Sequence, residues 1–175
     1  MISAKMQKAL NDQINAELYS AYLYLAMAAY FADKNLNGFA NWMRVQSMEE
    51  LGHVWRFYTH INDRDGRVEL QPIAGPPKEW KSPLAAFQDA YKHECYITGR
   101  IHDLVGLALK EKDRAAATML EWFVNEQVEE EATAKEIADQ LKLMGDSGSV
   151  LFMLDRELAQ RMFVMPPVIP EGGAQ

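Results

Sequence analysis

Only one cysteine, Cys95, occurs in the 175 residues, so no disulfide can form within a chain and the core has to hold the fold. One thiol suits a reducing compartment, and Cys95 itself reads as a small hydrophobe, buried or half-buried. Long apolar runs are missing too. The longest, 21–32, has about twelve residues, against the roughly 20 that span a bilayer. Residues 1–11 carry lysines but no apolar stretch of the kind a secretory signal needs. The expectation is a soluble, cytoplasmic protein with no membrane partner. Positive charge is scarce: 18 Lys and Arg stand against 25 Asp and Glu, for a formal net charge of −7 and an isoelectric point near 5.1. That argues against nucleic acid as a partner and fits a protein that attracts cations. Glycine and proline are sparse outside 65–83 and the last dozen residues. No strand pattern, internal repeat or glycine-rich phosphate loop is present.

What remains is a chain that is 49% hydrophobic, enough for one domain with a substantial core. Apolar residues recur at alternating steps of four and three, the period of a helix face, in four long segments. The first, 3–32, carries Leu10, Ile14, Glu17, Ala21, Tyr24, Ala28 and Phe31. The second, 37–64, carries Phe39, Met43, Gln46, Glu50, His53, Phe57 and His60. The third, 83–110, carries Leu84, Phe87, Tyr91, Glu94, Thr98, Ile101, Val105 and Ala108. The fourth, 113–144, carries Ala116, Leu120, Phe123, Gln127, Glu130, Ala134, Ile137, Leu141 and Met144. Between 21 and 32 the other faces of the first helix are apolar as well, which points to a subunit interface.

A turn of a few residues after the first helix makes the first two antiparallel. The stretch from 65 to 82, rich in glycine and proline, is long enough when extended, at roughly 55 Å, to run the length of a bundle. It reads as a crossover, which makes the third helix parallel to the second. A fifth helix, 149–162, presents Leu151, Leu154 and Leu158 and is too short to stand alone in water. The domain therefore spans 1–163, followed by an irregular tail over 164–175.

Each stripe is interrupted once by acids or their amides: Glu17; Glu50 with His53; Glu94; Gln127 with Glu130. At a helical rise of 1.5 Å per residue these fall roughly 16–25 Å from a helix end, which is mid-height in a bundle roughly 40–45 Å tall. Four buried carboxylates need partners to offset their desolvation, and two divalent cations balance their charge. Oxygen ligands with one imidazole suit iron or manganese better than structural zinc, and Glu50, beside His53 on one face, is best placed to bridge two metals. Glu49, Glu126, Glu129 and Glu131 crowd the same level as either a solvated acidic face or a further, more open cation site. Tyr24, one heptad above Glu17, is placed to hydrogen-bond a ligand or to give up an electron, and equally reads as a core tyrosine. Trp122 reads as packing. His60, His93 and His102 read as ordinary histidines.

The motifs Asn15-Ala16-Glu17 with Tyr19 to Tyr24, Glu49-Glu50-Leu51-Gly52-His53, His93-Glu94, and Glu126 to Glu131 together resemble the non-haem ferritins of bacteria and archaea over about 1–163. The resemblance implies an all-α, ferritin-like four-helix bundle with a long crossover and a short fifth helix. It implies one iron on Glu17, Glu50 and His53, and a second on Glu50, Glu94 and Glu130 with Gln127 beside them. A third would sit on Glu49, Glu126, Glu129 and Glu130. The implied activity is ferroxidase, oxidising Fe(II) with O₂ or H₂O₂ and storing the ferric mineral inside a hollow shell of 24 subunits, with the fifth helix lining a symmetry axis. Gln127-x-x-Glu130 replaces the ExxH of bacterioferritins on the last core helix, and Leu51 stands where those bind haem through methionine, so no haem is expected. Rubrerythrins need a CxxC module, and DNA-coating mini-ferritins lack the fifth helix. A di-iron oxygenase acting on an organic substrate and a non-catalytic shell subunit are the other readings.

Overall fold

The structure, a computed structural model, describes residues 1–145 and 147–164. The expected tail over 164–175 lies, apart from Val164, outside the described residues. Five helices follow in chain order: α1 (Ala4–Asp33), α2 (Asn37–Asn62), α3 (Pro83–Lys110), α4 (Arg114–Met144) and α5 (Gly148–Leu158). Among the described residues there is no strand, and no helix is long and apolar enough to cross a membrane. The helix ends follow local chemistry. Ser3, Ser82 and Asp113 each accept a hydrogen bond from a backbone N–H of the first turn they precede, which satisfies donors the helix cannot. Pro83 opens α3 at a position where its missing N–H is harmless. α1, α2 and α3 stop alike: Asn35, Asp65 and Lys112 turn left-handed, at φ 58°, 56° and 56°. The next residue then donates to a carbonyl five residues back, Leu36 to Phe31, Gly66 to Ile61 and Asp113 to Ala108.

The segment after α2 runs along α1 in the direction of α1. Arg64 accepts from Ile2, Arg67 and Glu69 bond Gln7 and Asn11, and Trp80 packs edge-on against Tyr30 at 5.4 Å. The crossover is therefore real, and α3 runs parallel to α2 while α1 and α4 run the other way. Two apolar clusters result. One gathers Tyr24, Met27, Phe31, Phe39, Trp42, Met43, Phe87 and Ile137; the other gathers Met6, Leu10, Ile14, Phe57, Ile101, Leu120 and Phe123. On each long helix the gap between the clusters is where the buried polar residues sit.

Several expectations need correction. On α3 the buried face is Ala86, Phe87, Ala90, Glu94, Ile97, Ile101, Leu104 and Ala108. Tyr91, Thr98 and Val105 are half-buried on its flank, because a 3.6-residue period lets two neighbouring stripes share the same anchors. Cys95 is exposed, one position round the helix from buried Glu94. α5 ends at Leu158, and α2 at Asn62, each short of its expected end. Tyr22, Leu25, Met48, Leu51 and Trp55 leave a large apolar face open on α1 and α2, where the all-round apolar character of the first helix pointed.

Candidate metal centre

Each long helix brings its polar interruption to the layer between the two apolar clusters, and all of Glu17, Glu50, His53, Glu94, Gln127 and Glu130 are buried there. α1 supplies Glu17. Gln13, one turn earlier, donates to Glu17 Oε1 at 2.8 Å. α2 supplies Glu50 and His53, whose Nδ1 lies 3.2 Å from Glu50 Oε2. Gln46, one turn before Glu50, reaches across to donate to Glu130 Oε2 at 2.6 Å. α3 supplies Glu94, which accepts from the Tyr24 hydroxyl on one oxygen and from Gln127 Nε2 at 3.4 Å on the other.

Two triads of ligand atoms converge. Glu17, Glu50 and His53 each bring one atom within 4.8 Å of the other two, and so do His53, Glu126 and Glu130. Among the described residues, Glu17 Oε2, His53 Nε2 and Gln127 Oε1 are buried with no hydrogen-bond partner. Buried polar atoms are ordinarily paired, so an orphaned carboxylate oxygen on Glu17 and an orphaned imidazole nitrogen on His53, within one converging triad, fit a cation. Glu94 belongs to neither triad, its oxygens being held by Tyr24 and Gln127. Glu49 is half-buried and ion-paired to Arg161, and Glu129 is exposed.

Electrostatics follow from burial and crowding. Burial, then the Glu50 charge, pushes Glu17 up to about 8, and the same causes push Glu130 up to about 7. Glu94 is raised well above the carboxylate range, first by burial and then by Glu50 and Glu130. Burial alone would lower His53, but its hydrogen bond to Glu50 and the charges of Glu50 and Glu17 raise it to about 10. Burial works against the charge on Glu50, and His53 nevertheless holds its carboxyl below the usual value. Strained protonation of this kind clusters at functional sites.

Several neighbours were not singled out by the sequence reading. Gln13 and Gln46 precede Glu17 and Glu50 by four residues each, so an amide one turn before an inward acid was the available signal. Ser20 bonds half-buried His93 at 2.7 Å, and His93 lies edge-on to Tyr24 at 6.2 Å; the sequence reading left it an ordinary histidine. Trp122 does pack, against His53 at 5.6 Å, and the Arg56 guanidinium lies over its ring at 3.7 Å from the centroid.

A profile of the Ferritin-like domain family matches residues 7–144. The bacterial non-heme ferritin of Bacteroides fragilis is 44% identical over 161 residues, covering 92% of this chain and all of that one. That of Staphylococcus haemolyticus is 42% identical over 163 residues, covering 93% and 98%. Among solved structures, an open pore ferritin from the archaeon Archaeoglobus fulgidus superposes with a TM-score of 0.92 at 53% identity, covering 93% of this chain and all of that one. The helix order, the long crossover and the buried acids thus sit in a chain that belongs to the ferritin family, in its bacterial and archaeal non-haem branch.

Proposed function

We propose that this protein stores iron, oxidising Fe(II) at the centre between α1, α2, α3 and α4 and holding the ferric product inside a hollow shell of its own copies in the cytoplasm. The observation that carries the reading is the buried polar layer, where Glu17 Oε2 and His53 Nε2 lie without protein partners. Two ferrous ions are the substrate. Glu17, Glu50 and His53 hold one; Glu50, Glu94 and Glu130 hold the other, with Gln127 alongside and Glu50 shared. Glu49, Glu126, Glu129 and Glu130 take a third ion. Each ferrous ion yields one electron to O₂ or H₂O₂. The protein's own part is electrostatic and protonic. Carboxyls that burial keeps protonated near neutral pH release those protons as cations replace them, and Gln13 and Gln46 fix the orientation of Glu17 and Glu130. Tyr24, hydrogen-bonded to Glu94, stands where an electron can be drawn from the protein.

Self-assembly is supported by the open apolar face of Tyr22, Leu25, Met48, Leu51 and Trp55 and by α5, where Phe152 and Met153 are exposed. A shell of 24 copies, with α5 lining an axis, covers both. The test is aerobic addition of Fe(II) to wild type and to Glu50→Ala, followed by absorbance, with size-exclusion chromatography of each. Wild type should elute as a large assembly and oxidise rapidly. Glu50→Ala should assemble but lose at least about a hundred-fold in initial rate, beyond what orienting residues alone contribute. An unchanged rate in Glu50→Ala, or a wild type that runs as a monomer, removes the reading.

A further inference from the structure

The chain just beyond α5 returns to the metal centre. Asn41, on α2, donates to the carbonyls of Leu158 at 3.3 Å and of Arg161 at 2.9 Å. The Arg161 guanidinium then lies over the Trp42 ring, 4.3 Å from its centroid, and Nη1 donates to the Trp42 carbonyl at 3.3 Å. Nη2 meets Glu49 Oε2. Both charged side chains are mostly out of water, 22% and 18% exposed, so the pair is more than a screened surface contact. Glu49 adjoins Glu50 in sequence; its charge acts on Glu130, and the charge of Glu126 acts on it. Yet the triad on that side of the centre is His53, Glu126 and Glu130, without Glu49.

We propose that Arg161 is the resident counter-cation of Glu49, that it competes with a third metal ion for this carboxylate, and that loading of the third ion is thereby coupled to the seating of α5. The proposal rests on the reading of Glu49, Glu126, Glu129 and Glu130 as a third iron site and adds its regulation. The guanidinium is held by stacking, by a backbone carbonyl and by the carboxylate, in the planar geometry arginine favours. A divalent cation on Glu49 would meet the guanidinium's positive charge across one carboxylate, and the two repel. A third ion that takes Glu49 therefore releases Arg161, and with it one anchor of the α5 terminus. By linkage, whatever holds α5 down weakens the third ion by the same factor. Arg161 makes no described bond to Glu17, Glu50, His53, Glu94 or Glu130, so the first two ions do not displace it; Glu130, proposed for both the second and the third ion, is the one ligand through which the sites meet.

The experiment titrates full-length, assembled, metal-free protein with Fe(II) under anaerobic conditions by calorimetry. In Arg161→Leu the third dissociation constant should fall about ten-fold while the first two stay unchanged. Arg161→Lys, which keeps the charge and loses the planar contacts, should fall between. Glu49→Gln should bind two ions in either background. Hydrogen exchange on wild type should speed up over 155–161 after the third equivalent of Fe(II), and not after the first two. If Arg161→Leu does not assemble, Arg161→Lys and the wild-type exchange decide. A third constant that is unchanged or weaker without Arg161, or α5 amides indifferent to the third ion, overturns the coupling alone. Three ions bound by Glu49→Gln as tightly as by wild type overturns the third site itself, and the proposal with it.

Discussion

In the proposed centre, protons and metal ions compete for the oxygens of Glu17, Glu94 and Glu130. Burial favours the neutral acids and a cation favours the charged ones, so the centre is tuned by what restricts each carboxylate's rotation. Gln46 does this for Glu130 from another helix, at 2.6 Å. Gln46→Ala should leave the fold intact and weaken metal binding about 10–100-fold, read by competition with a coloured chelator; an affinity within two-fold of wild type would mean Glu130 is oriented by something else. The acids themselves were legible because each breaks an apolar stripe, and a charge in a stripe is costly enough to need a reason. Gln13 and Gln46 were less so, since a glutamine on a helix face has many harmless uses. His93 was legible only as a neighbour of Glu94 in a motif; its contact was not, since its partner Ser20 lies 73 positions away and only the α1–α3 packing brings them together.

At the scale of elements, α5 depends on α2 and α2 depends on α5. The first turn of α2 has no side-chain cap of its own, Leu36 standing at its N-cap. The Asp155 carboxylate fills the role, accepting from the N–H groups of Gly38 at 2.8 Å and Phe39 at 3.1 Å. It completes the donors at a helix N-terminus and meets the positive end of its dipole. The approach is so close that a Cβ on Gly38 would fall 1.5 Å from the Asp155 carbonyl oxygen. Asp155→Ala should cost about 1–2 kcal/mol and speed hydrogen exchange in both α5 and the first turn of α2; exchange confined to α5 would show that α2 needs no such cap. The four long helices were readable from the period of their apolar residues. The cap from Asp155 was not, because it is supplied from 116 positions downstream. α5 was expected to dock on something, and its partner is the start of α2, with Leu154 and Leu158 in the apolar cluster of Phe39 and Trp42.

For the whole molecule, the metal centre lies between two apolar clusters, so its charge state is part of the stability of the bundle. Glu17 and Glu130 have folded-state values of about 8 and about 7 against roughly 4.3 in an unfolded chain. Across that interval the folded state binds more protons, so the stability of metal-free protein falls as pH rises from about 4.5 towards 8. His53, raised to about 10, pushes the same way above about pH 6.5. Cations remove the penalty. Metal-free protein should therefore melt lower at pH 8 than at pH 6, and saturating Co(II) should raise the melting point more at pH 8. A site filled to a hundred times its dissociation constant adds about 2.7 kcal/mol. Calorimetry showing no gain from Co(II) at pH 8, or equal loss of melting point in Glu50→Ala, would separate the centre from stability. The bundle topology was legible because crossover length and ligand height had to agree.

The crossover also divides the proposed ligands. Glu17, Glu50 and His53 lie before it, on α1 and α2; Glu94, Gln127 and Glu130 lie after it, on α3 and α4. Gly75 and the four residues before it are exposed, and a Cβ on Gly75 meets nothing within 4 Å. A backbone cut at Gly75 should leave two hairpins, each half a receptor. Neither owns enough donors to retain two ions alone, so ferrous or cobaltous ions should act as the solder that rejoins them, and chelation should let them part. Co-expressed halves that associate equally well in a chelator would show that the greasy contacts suffice unaided.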